Sequence, residues 1–190
     1  MIVGLERLSK SIIEGNDFDD FFTIHQKNLT SILFSVNCVE AKINELISVY
    51  EIDDRTSLHD KIKVIIEIEK KVNIIEKFNL VCALLNKEGW ESSKEPYQSF
   101  ELIQTLRNEI VHFKGKYEEN GTYPKKLRNL FQKIDCSVSE EDIWLKCVLG
   151  NKNIAQWILE VTRKIINIID NKIKKTSPNK PAKPQAGAVG

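Results

Sequence analysis

The sequence predicts an all-α fold: an up-and-down helical bundle with additional short helices and a disordered C-terminal tail. Three observations predict it. The first 95 residues contain no proline, which leaves long helices unbroken. Apolar residues recur every three to four positions, the spacing of one helix face. No run alternates with period two between hairpin turns, so strands find no support. The length of 190 residues suits one domain, and 42% hydrophobic with 29% charged residues is an ordinary globular balance. Residues 1–174 read as a single helical domain, and residues 175–190 as a basic tail of Pro, Lys, Ala and Gly.

The first long helix is expected from about Asp19 to Tyr50. Phe22, Leu29, Val36, Ile43 and Tyr50 repeat every seven residues, and Ile32, Val39 and Leu46 form the companion row. A rod of that length cannot bury its own seam and needs other helices against it. The many other amphipathic segments make an intrachain core the better reading than a coiled-coil dimer. Ser57 and Asp60 resemble a capping box opening a helix through Ile62, Val64, Ile65 and Ile68. Val72 to Leu85 is a further helix or a kinked continuation. The next helix starts near Pro96, runs to Phe113 and stops at Gly115. Lys116 to Pro124 contains Asn120-Gly121 and reads as a loop. A short helix is expected from Lys125 to Gln132. Another opens at Ser139 and is interrupted at Gly150-Asn151. The last carries Ile154, Trp157, Ile158, Val161, Ile165, Ile168 and Ile169 on a broad apolar face.

Several function classes are disfavoured by composition. No apolar run approaches the ~20 residues of a bilayer span, and the N-terminal residues lack the pattern of a secretory signal. Cys38, Cys82, Cys136 and Cys147 form no CxxC pair, so reduced thiols in a cytoplasmic protein are expected. With His25, His59 and His112 as the three histidines, no metal cage and no cofactor are expected.

The net charge of +1 is a composite. Five of the 28 basic residues follow Asp170 and no acid does, which leaves 23 against 27, or −4, for residues 1–170. Between Thr105 and Arg128, six Lys or Arg face three Glu, a local excess of +3. An indiscriminate nucleic-acid coat protein is excluded, but a local phosphate site is not.

The segment PYQSFELIQTLRNEIVHF, residues 96–113, carries the chemistry. At 100° per residue, Leu102, Ile103, Leu106, Ile110 and Phe113 make one apolar stripe. Arg107, Asn108 and His112 fall on the opposite side. An arginine holds a phosphate by paired charge-assisted hydrogen bonds. A histidine exchanges protons near neutral pH, and the end of a helix favours its charged form. Together they suffice for metal-free acid–base cleavage of RNA, with the ribose 2′-OH as nucleophile.

Leu106 to Phe113, LRNEIVHF, resembles the R-x(4–6)-H motif of HEPN domains, with a polar residue just after the arginine. VEAKINELI, residues 39–47, is similar to the first long helix of standalone members, and the resemblance covers roughly residues 18–172. It implies a homodimeric endoribonuclease whose motif helices meet in one cleft. Arg107 would bind phosphate, His112 would transfer protons and Asn108 would orient one or the other. It also implies phage defence, stress response or a toxin–antitoxin pair, with an antitoxin or defence protein as partner. One departure stands out. HEPN toxins silenced by nucleotidylation carry a tyrosine two residues after the histidine, where this chain has Lys114. Lys114, Lys116, Lys125 and Lys126 are the expected RNA-backbone contacts.

Two other classes fit the same residues: a non-catalytic module of the same fold that dimerises and binds nucleotide, RNA or protein, and an unrelated helical adaptor. Other polar residues are read structurally. Glu109 is expected in water or an ion pair, Glu40 and Asn44 in bundle register, Arg55 and His59 beside the Ser57 cap, and His25 in the seam. Trp90, Trp144 and Trp157 are expected to pack.

Overall fold

The computed structural model describes residues 21–52, 72–113, 123–139 and 143–174. Among these, the elements are α1 (Phe21–Ile52), α2 (Ile74–Leu84), α3 (Tyr97–Val111), a 3-10 turn (Lys125–Leu127) running into α4 (Arg128–Lys133), α5 (Trp144–Gly150) and α6 (Ile154–Lys174). No strand occurs among the described residues, so the all-α class holds. The expected helix at Ser57–Ile68 with Arg55 and His59, the loop carrying Lys114 and Lys116, and the tail from 175 onward lie outside the described residues.

The 32 residues of α1 make a rod of roughly 48 Å. Its buried stripe is Ile32, Val36, Val39, Ile43 and Leu46, as the heptad spacing requires, broadened by Cys38 and Ile47. Ser31 and Ser35 are also buried. Their hydroxyls donate to their own helix, at Lys27 O and Ile32 O, both 2.9 Å. Neither buries an unpaired donor there.

The most extensive packing is between α1 and α6. Near one end, Asn28 Nδ2 donates to Leu149 O at 2.6 Å and Asn151 O at 3.0 Å. Towards the other, Lys42 Nζ lies 2.9 Å from Asp170 Oδ1. These two anchors make α1 and α6 parallel. A strictly alternating four-helix bundle would make its first and last helices antiparallel.

The helix ends follow local chemistry. Asn73 caps α2 by accepting from Ile75 N and Glu76 N, and Glu76 returns the bond to Asn73 N. Asn86, at φ 51°, closes α2 with Lys87 N donating to Cys82 O at 2.8 Å. Gly89 follows because a Cβ there would meet Asn79 Oδ1 at 2.5 Å. That same oxygen accepts from Trp90 N at 2.6 Å, which fixes the turn. Trp90 then packs on Phe78, Tyr97 and Phe100, and its Nε1 donates to Glu101 at 2.7 Å.

Two boundaries differ from the sequence expectation. α3 ends at Val111 rather than Phe113, with His112 as its C-terminal cap residue. α5 begins at Trp144, and Ser139 lies outside it. Trp144, the first residue of α5, is fully buried and meets the Phe113 ring edge-to-face at 6.1 Å. Trp157 is half-buried against the same core.

Candidate nucleic-acid interface

α3 presents two faces. Phe100, Ile103 and Leu106 are wholly buried, and Leu102, Ile110 and Phe113 pack at the margins. This stripe docks α3 on α1 and α6. The opposite face carries Asn108 and His112, both exposed, half-buried Arg107, and Val111 at 49% exposure. The three motif residues therefore share the outward face, as the helical spacing requires.

Within that face, Arg107 Nη1 donates to Asn108 Oδ1 at 3.0 Å. Arg107 and His112 diverge by about 140° around the helix axis, with Asn108 between them. His112 keeps the helical connection through its backbone, with N–H donating to Asn108 O at 3.0 Å. Its side chain makes no hydrogen bond or ion pair among the described residues.

The neighbouring acids are committed elsewhere. Glu101 accepts from Trp90, and Glu109 pairs with Lys126. The ion-pair reading of Glu109 thus holds. Lys133 pairs with Glu95 and donates to Ser99 Oγ at 3.2 Å. The Lys126 and Lys133 anchors make the Lys125–Lys133 segment run antiparallel along one flank of α3. Lys125 is exposed, whereas Lys126 spends its charge on Glu109. Glu40 pairs across helices with Lys77 at 3.5 Å, so it ties α1 to α2.

Two of the thiols, Cys38 and Cys82, are poor nucleophiles. Burial pushes Cys38 and Cys82 above the ordinary thiol value. Among the described residues no group of three or more His, Cys, Asp or Glu gathers as a metal site would. None of their helices is long and apolar enough to cross a membrane.

A second feature has no counterpart in the sequence motifs. A cleft of about 310 Å³ lies beside α4, lined by Tyr123, Arg128, Phe131, Gln132, Asp135 and the chain after it. Arg128 and Gln132 stand one helical turn apart, which a sequence reading can see. The position of Asp135 depends on how α4 ends, which spacing does not reveal.

No family model, no curated protein and no solved structure matches this chain.

Proposed function

We propose that the chain is a metal-independent endoribonuclease of the HEPN type. The observation that carries this reading is the outward face of α3, where Arg107 bonds Asn108 and the His112 side chain makes no hydrogen bond or ion pair among the described residues. Arg107 holds the scissile phosphate by charge-assisted hydrogen bonds and stabilises the charge that develops on it. One His112 removes the proton from the 2′-OH. The 2′-oxygen attacks phosphorus, the bond to the 5′-oxygen breaks, and a second imidazole protonates that leaving oxygen. Products are a 2′,3′-cyclic phosphate and a 5′-hydroxyl end.

Base and acid on opposite sides of one phosphate call for two proton-transferring groups, and one chain offers one imidazole on this face. A homodimer joining two α3 faces supplies both, with half-exposed Val111 as an apolar contact between copies. Lys125, Lys114 and Lys116 are the proposed contacts to the RNA backbone. A defence system or a toxin–antitoxin pair, with an antitoxin as the silencing partner, is the setting that the family likeness suggests.

The test is cleavage of RNA by the purified chain in EDTA. His112→Ala should lower the rate at least about 100-fold, the usual worth of a positioned acid–base group. Cleavage by the variant at the wild-type rate removes His112 from the mechanism. The wide angle between Arg107 and His112 within one chain also favours a second reading, a non-catalytic module. RNA binding without turnover by a monomer selects it.

A further inference from the structure

The cleft beside α4 combines three uncommitted polar groups with an aromatic wall. Among the described residues, the side chains of Arg128, Gln132 and Asp135 make no hydrogen bond or ion pair, with each other or with anything else. Each is exposed. Tyr123 stands at 4.8 Å from Phe131, edge-to-face, and is half-buried. A guanidinium and a carboxylate that border one cleft without neutralising each other offer a donor and an acceptor to a guest.

The end of α4 sets this arrangement. Asp135 adopts φ 48°, and the chain closes with Cys136 N donating to Phe131 O at 2.9 Å and Asp135 N donating to Gln132 O at 3.4 Å. Glycine is the favoured residue at such a position, and a side chain there costs about 1 kcal/mol. This chain instead places a carboxylate there.

The volume of about 310 Å³ lies at the low end for small-molecule clefts, roughly 300–1,000 Å³, and suits one planar ring system. A carboxylate has two acceptor oxygens and pairs best with two adjacent donors. Guanine presents them on one edge, at N1–H and the N2 amino group, and presents the acceptors O6 and N7 to a donor such as Arg128 or the Gln132 amide. Adenine and cytosine each offer a single amino group. We propose that the cleft bordered by Tyr123, Arg128, Gln132 and Asp135 binds a guanine base. Asp135 accepts from its N1/N2 edge, Arg128 or Gln132 donates to its acceptors, and the Tyr123 ring lies along its face.

The base can belong to a free nucleotide or to an unpaired guanosine in RNA, and two arms separate these sources. In the first, guanosine and adenosine 5′-monophosphates are titrated into the full chain by calorimetry. In the second, single-stranded oligoribonucleotides differing by one G-to-A change are titrated into the Arg107→Ala variant. Guanine should be preferred at least tenfold in one arm or both. Asp135→Asn should abolish the preference, and since Asn tolerates positive φ the helix end is kept. Arg128→Gln together with Gln132→Ala, both surface changes, should weaken guanine binding tenfold or more. Binding without discrimination between guanine and adenine, or guanine binding unmoved by both variants, overturns the proposal, as does failure of both arms to bind at millimolar ligand. His112→Ala should leave guanine binding intact, so loss of cleavage and loss of this site are read separately.

Discussion

The two faces of α3 carry opposite commitments. On the inner face Phe100, Ile103 and Leu106 have no exposed surface, and Leu102, Ile110 and Phe113 pack partly buried beside them. On the outer face Arg107 bonds its neighbour, and the His112 side chain makes no hydrogen bond or ion pair among the described residues. Hydrophobic burial makes the first face a determinant of stability and leaves the second available to a ligand. The acids of α3 are committed to the framework, Glu101 to Trp90 and Glu109 to Lys126, which sets them apart from His112.

Mutations can break this division. Phe100→Ala removes a fully buried ring from the contact with Trp90 and should cost about 3–5 kcal/mol, read as a fall in the urea midpoint. Asn28→Ala should cost about 2 kcal/mol in the same titration. It leaves the carbonyls of Leu149 and Asn151 without their donor where α1 meets α6. Arg107→Ala and His112→Ala should move stability by no more than about 0.5 kcal/mol. A larger loss from either would mean that the outer face is part of the framework.

The smallest effect concerns pH. Burial raises the Glu95 carboxyl, but hydrogen bonds from Lys133 and Ser99 outweigh it and leave the group below its ordinary value of 4.5. A depressed carboxyl stabilises the fold above its unfolded value and loses that contribution as pH falls through the folded value. Lys133→Met should therefore be slightly less stable than wild type at pH 7, and the gap should narrow as pH drops below 4.5. Equal gaps at pH 7 and pH 3 would remove this ion pair from the stability of the α3–α4 contact. Glu95 is half exposed, so solvent screening keeps the effect small.

The inner stripe of α3 and the seam of α1 were legible because burial imposes the helical period on apolar residues. Ile32, Val36, Val39, Ile43 and Leu46 are buried where the heptad places them. The placement of Arg107, Asn108 and His112 on one outward face follows from the same period. α5 begins at the fully buried Trp144, later than the Ser139 expected from sequence, and residues 140–142 between them lie outside the described residues. Local capping preferences are worth about 1 kcal/mol, less than burying an indole.

The sequence by itself determined the helical class, the buried stripes and the composition of the α3 face, because these depend on neighbours within one or two turns. Tertiary structure decided the rest. It made α1 and α6 parallel through Asn28 and Lys42, committed Glu101 and Glu109 to partners, and brought Tyr123 beside Arg128 and Asp135 around one cleft. Each of these joins residues distant along the chain or depends on how a helix ends. Helical periodicity carries no information about such pairings.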